Sequence, residues 1–174
     1  MTGSIAKFVH TSKAKGINDS LKKLKRTMIL VGIAKGADMR KDNGPDNHLL
    51  GFIHEYGAPA ANIPARPFLR PGVLSAKEKI AEGLESALRA ALEDNAAAMA
   101  SSLEMTGMTA VSAVKSFMVS PEPPFAPLAP STLRNRHRSR LTKSKRENEV
   151  KGENVKPLIN SGSLQGSIDF YIED

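Results

Sequence analysis

Nine of the eleven prolines fall in two short stretches, residues 59–71 and 121–130, and this placement constrains the fold more than any other feature. Proline fixes its own φ at about −65°, lacks an N–H donor and pushes the preceding residue out of the helical region. Regular structure should therefore stop at both stretches, which divides the chain into an N-terminal part, an alanine-rich middle and a C-terminal part.

Within the first part, "AKGINDSLKKLKR" over 14–26 places Ile17, Leu21 and Leu24 on the stripe of a short amphipathic helix whose far side is basic. The β-branched apolar run from Met28 to Ile33 predicts a strand. Residues 35–47, rich in Gly, Asp and Asn, read as an exposed loop. In "HLLGFIHEYG", Leu49, Phe52, Ile53 and Tyr56 recur at helical spacing, and Gly57 suits a left-handed cap.

After Pro71, Leu74, Ile80, Leu84, Leu88 and Leu92 form the apolar stripe of one long helix or of two, the second restarting after Gly107. Beyond the second proline stretch Ser131 or Thr132 is placed to cap a further segment, and the charged residues up to 156 lack apolar periodicity and read as a loop. The chain ends in a turn of helix around "SGSLQGS" and a strand in which Ile168, Phe170 and Ile172 alternate with Asp169, Tyr171 and Glu173. The expected class is α+β: a small sheet with one long and one or two short helices, and extended loops.

A length of 174 residues suits one domain with extensions: a mobile N-terminal segment over about 1–13, a proline-rich arm over 58–71 and a basic loop over 134–156. With 40% hydrophobic but only 5% aromatic residues the core should be modest, which leaves room for stabilisation by neighbouring subunits. The absence of cysteine excludes disulfides, thiolate metal sites and cysteine nucleophiles. No signal-peptide core and no membrane-length apolar window stand in the sequence, so no membrane partner is expected.

The net charge of +7 is concentrated in one place. Between 134 and 146, Arg134, Arg136, Arg138, Arg140, Lys143, Lys145 and Arg146 occur with no acid, so this run carries the whole excess and the remainder is neutral. Such a run can neutralise phosphates and bind nucleic acid without regard to sequence, or grip an acidic protein rim, or simply be solvated. No aromatic interleaves it, so base stacking has no support.

Catalytic chemistry finds little foothold. His48 and His54 lack the four-residue spacing of a helical zinc pair, and with Glu55 they are read as structural rather than as a metal site. The glycines of "GAPAAN" and "GSLQGS" lack phosphate-loop spacing, no serine stands in a nucleophile elbow, and the helix carboxylates sit among Lys and Arg as on a solvated face. No catalytic residue, cofactor or metal is expected.

The stretch "IHEYGAPAANIPARPFLRP" over 53–71 reads differently. A helix ends at Tyr56 and Gly57, and three prolines then stiffen an extended path. Phe68 and Leu69 stand between Arg66 and Arg70 as apolar anchors, either for a neighbouring surface at low entropic cost or for the protein's own core. Tyr56, Arg66, Pro67, Phe68, Leu69 and Arg70 are the candidate partner contacts.

"IHEYG", "IPARPFLRP", "PLAPSTLRNR" and "KPLINSGSLQGSI" together resemble the motifs of tailed-phage and prophage tail-completion, virion-morphogenesis, neck or minor tail proteins, over about 31–172. The resemblance implies a small α+β subunit with helices on an antiparallel sheet. It further implies a homo-oligomeric ring, commonly a hexamer, that joins the tail tube protein to the head connector or adaptor without catalytic activity. Packaged DNA would pass through its channel, and the protein would reside in the virion neck after assembly in the host cytoplasm. The "SGSLQGS" stretch comes last here, whereas in many relatives a similar stretch comes first. A small basic nucleic-acid-binding protein is the alternative.

Overall fold

A computed structural model describes residues 3–34, 45–120, 125–143, 156–159 and 161–174. The described residues form an α+β fold, mostly helical, with a two-stranded antiparallel sheet packed against helices. Contacts gather into two compact units built from discontinuous segments: Met1–Gly32, Gly72–Val114 and Asp169–Asp174 in the first, Ile33–Pro71 and Lys115–Ile168 in the second.

In the first unit helix α1, Gly3–Arg26, leads into strand β1, Met28–Ile33, which pairs with the C-terminal strand β2, Ile168–Glu173. Helix α1 therefore reaches back through most of the segment expected to be mobile. Alternation in β2 holds: Ile168 is buried and Phe170 and Ile172 half-buried, while Asp169, Tyr171 and Glu173 are exposed. Phe170 lies so close to Gly107 that a Cβ there would overlap its ring, so this glycine admits the sheet rather than breaking the helix.

The alanine-rich middle is three helices, not the one or two expected: α3, Leu69–Ser75; α4, Lys77–Leu92; and α5, Ala96–Val119. The long break falls at 93–95 instead of after Gly107. Asp94 adopts a left-handed φ of 59°, Asn95 N–H donates to Ala90 O at 2.9 Å and Asp94 N–H to Ala91 O at 3.2 Å. These bonds close a Schellman turn. The Asn95 side chain then accepts from Ala98 N–H at 3.0 Å and caps α5.

The core of this unit also differs from the leucine stripe. Ala87, Ala90 and Ala91 of α4 pack with Met99 and Leu103 of α5, backed by Leu21, Leu24, Ile29 and Ile172. Small side chains let helices approach closely. The leucines, turned partly out, leave Leu84, Leu88 and Leu92 exposed at 44%, 42% and 50%.

The second unit holds helix α2, Asn47–Tyr56, a 3₁₀ turn at Pro59–Ala61, helix α6, Pro130–Lys143, and the short helix α7, Ser163–Gly166. The segment 134–143, expected as a loop, is helical. Its helix starts with Pro130, whose fixed φ and missing N–H suit a first helical position, ahead of the expected caps Ser131 and Thr132. Residues 35–44 of the expected loop, and Lys145 and Arg146 of the basic run, lie outside the described residues. No described helix is long and apolar enough to cross a membrane.

The close packing of α3 on α5 gives a direct test. A Cβ on Gly72 would lie 2.7 Å from Val114 Cα, which is backbone and cannot turn aside, whereas one on Gly32 in β1 would meet nothing within 4 Å among the described residues. Gly72→Ala is expected to destabilise by about 1–3 kcal/mol in urea unfolding. Gly32→Ala should be neutral or stabilising by up to about 1 kcal/mol; equal effects would contradict this packing.

Candidate functional site

Helix α2 is capped by Asp46, whose side chain accepts from Leu49 N–H at 2.7 Å. It ends at Gly57, where φ is 78° and a Cβ would meet Ala65 N at 2.9 Å and Ile63 O at 3.0 Å. Only glycine fits that corner. The ψ of 176° is extended, so the corner is not the left-handed helix cap expected. The chain then turns through Asn62, bridges Ala58 to Ile63 and runs back along α2, with Arg66 N–H donating to His54 O at 2.6 Å.

That return brings the start of α3 to Glu55. Its carboxylate accepts from the N–H groups of Phe68 at 2.8 Å, Leu69 at 2.9 Å and Arg70 at 3.2 Å. The next residue, Pro71, has no N–H, so one side chain from α2 satisfies all the orphan donors of that turn. A negative group at a helix N-terminus is also favoured by the dipole.

Two arginines extend the clamp. Arg66, nearly fully buried, donates from Nε to Ala126 O at 2.7 Å and from Nη2 to Pro127 O at 2.8 Å. Arg136 donates from Nη1 to Lys156 O at 3.2 Å and Ile159 O at 3.0 Å, and from Nη2 to Pro157 O at 2.9 Å. Asn47 adds a bond from Nδ2 to Ser163 Oγ at 2.9 Å. The four motifs of the sequence thus meet in one unit, held to one another by charge-assisted bonds, from Glu55 to backbone N–H groups and from Arg66 and Arg136 to backbone carbonyls. Burial, then the charges of Arg66 and Arg136, lower the His54 imidazole from its ordinary 6.5 to about 4. It is neutral near pH 7, and its Nδ1 is buried with no hydrogen-bond partner among the described residues.

The candidate contacts separate accordingly. Phe68 is 0% exposed within its own chain, which corrects its reading as the tip of a free arm, and Arg66 is committed to carbonyls. Tyr56, Pro67 and Arg70 are exposed and Leu69 is half-buried. In the basic run Arg134 is exposed, Arg136 is bonded inward, and Arg138, Arg140 and Lys143 lie along the backbone of α6.

The sequence reading missed a surface on α2. Leu49, Phe52 and Tyr56, read there as part of a helical stripe, are exposed, Phe52 at 57% and Tyr56 at 69%, with the two rings 4.9 Å apart. Their spacing of three and four residues gave the helix but not which of its faces was covered. Among the described residues no group of His, Asp and Glu side chains is placed to hold a metal. Searches against protein-family models, curated proteins and solved structures find no match for the chain.

The His54 environment makes stability depend on pH. Below about pH 6.5 the unfolded chain takes up a proton at this imidazole that the folded chain refuses until about pH 4, so falling pH favours unfolding across that window. His54→Gln removes this linkage. Its melting temperature should fall less between pH 6.5 and 4 than that of the unaltered protein; parallel profiles would place the imidazole in water.

Proposed function

We propose that this chain is a structural subunit of a phage or prophage head–tail junction, a ring that joins tail tube to head connector. The observation that carries the reading is the exposed stripe of Leu49, Phe52 and Tyr56 on a helix that Glu55 ties to the start of α3 and Asn47 ties to Ser163. A rigid aromatic surface binds at low entropic cost and is the usual composition of interface hot spots. The resemblance of the four motifs supports the same reading, with Tyr56 and Arg70 at the rim of the contact.

Replacing Phe52 and Tyr56 by Ser tests it. The monomer should keep its melting temperature within about 1–2 °C, because surface substitutions away from packed features change stability by less than about 0.5 kcal/mol. Imaged virions should lack the ring, and tails should fail to join heads. A ring of normal occupancy with both substitutions would defeat the proposal.

The second reading, nucleic-acid binding, rests on the basic residues that now fall on one helix, α6. Arg136 is excluded from that set by its carbonyl bonds. Replacing Arg134, Arg138, Arg140 and Lys143 by Ser should lower affinity for duplex DNA of any sequence and shrink its salt slope by about 0.9 per lost phosphate contact. If DNA affinity is unchanged and ring docking fails instead, the helix grips an acidic protein rim.

A further inference from the structure

The sheet of the first unit stops short on both sides. Strands β1 and β2 pair with each other and, among the described residues, with nothing else, so each has one open edge. Two strands alone are marginal in water, and an open edge is a template for a further strand. β1 has the composition of an interior strand: Met28–Ile33 carries no charge and is apolar on both faces, with Ile29 and Val31 turned to the helices and Met28 and Leu30 exposed on the other side. On β2, Phe170 N–H donates to Asp169 Oδ1 at 2.9 Å, a local bond that an incoming carbonyl can replace.

The two strands differ in what lies beside them. Beside β1 an apolar cleft of about 460 Å³ is lined by Ile29, Val31, Leu84, Leu88 and Leu103 among others. On α5, Leu103, Thr106 and Ala110 face this cleft, while Gly107 lies against Phe170 of β2. At about 100° per residue, Met105 and Met108 fall on the flank of α5 opposite to the cleft, past β2, where they are 66% and 58% exposed. One side of the unit is therefore an apolar hollow and the other an apolar projection. Methionine is unbranched and flexible and fills irregular gaps well. A cleft of this size, within the roughly 300–1,000 Å³ that holds a small ligand, has room for both side chains.

We propose that the open edge of β2 in one copy pairs with the open edge of β1 in the next, and that Met105 and Met108 of the first seat in the cleft of the second. This deepens the ring reading and rests on it. Charge favours this pairing. The β2 side exposes Glu104, Asp169 and Glu173, with Asp174 held by Lys23 of its own chain at 3.0 Å and Lys115 as the one base of α5. The β1 side exposes Lys22, Lys25 and Arg26 at the end of α1, whose one acid is Asp19. Across the cleft α4 carries three bases and three acids and adds no net charge, and Asp94 lies beside Gly16, two turns of α1 before Leu24. Unlike signs thus meet in the contact of β2 with β1. Two β2 edges would set acid against acid, and two β1 edges would leave the methionines away from the cleft. A contact between different edges is head-to-tail, the type that closes into a ring or runs on as a filament.

The test uses the full chain and replaces only exposed side chains. Met105→Glu with Met108→Glu, and separately Leu88→Glu, should weaken self-association about tenfold or more in analytical ultracentrifugation, with circular dichroism and melting temperature unchanged. Lys25→Glu with Arg26→Glu should weaken it as well, and adding Glu104→Lys with Glu173→Lys to the same chain should restore it. The chain has no cysteine, so single cysteines report contact cleanly. Met108→Cys mixed with Leu88→Cys should form a disulfide-linked heterodimer under mild oxidation, and Met108→Cys mixed with Ser86→Cys, exposed on the opposite face of α4, should not. If the chain associates, none of these substitutions weakens it and the mixed pair crosslinks no more than that control, the pairing is overturned. A chain that stays monomeric and uncrosslinked overturns it too. In either case the ring reading stands if imaged virions carry this chain as a ring at the junction; virions without that ring remove both.

Discussion

The Glu55 carboxylate is the interaction on which the second unit depends. It takes the N–H groups of Phe68, Leu69 and Arg70, and so fixes where α3 starts relative to α2. A helix start leaves four donors without partners, and burying them unmet would cost more than the helix gains. Three meet one carboxylate, and the following position is Pro71, which has none. Phe68 can be wholly buried at this junction because its own backbone is satisfied there.

The arginines act in the same way on acceptors. Arg66 and Arg136 each span two or more backbone carbonyls of irregular segments rich in proline, which have few N–H donors to offer one another. A guanidinium presents several donors in a fixed plane and stays charged when buried, so one side chain anchors a stretch that no ladder of secondary structure could hold. The cost falls on His54, which must remain neutral between two cations. The same bonds commit the Arg136 guanidinium to backbone carbonyls, whereas Arg134, one half-turn earlier on α6, is exposed.

The first unit is organised by size instead of charge. Alanines of α4 face the core because they allow helices to sit close, and the leucines that a burial argument would place inside are left at the margin. Apolar area kept at a cleft and on a helix face is available for contact between molecules. The stripe on α2 is such an area in the second unit, and the half-exposed leucines of α4 are one in the first.

Local chemistry alone determined the elements whose signals are short-range. The β-branched run at Met28–Ile33, the alternation at Ile168–Glu173, the helix ending at Gly57 and the stop at the second proline stretch each depend on a residue's own backbone preferences, so they were legible in the residues themselves. The break at Asp94 was legible in principle, as Asp and Asn tolerate the left-handed conformation, but it was masked by a glycine at 107 whose role is to admit Phe170. Three matters were decided only by tertiary structure. Which face of α4 is inward depends on how closely α1 and α5 approach, a property of three helices together. Whether Phe68 is a tip or a core residue depends on Glu55, thirteen positions away, reaching its N–H. And whether α6 presents a basic face or holds the chain together depends on carbonyls some twenty residues downstream. Spacing records periodicity within a segment, but it carries no information on what another segment brings against it.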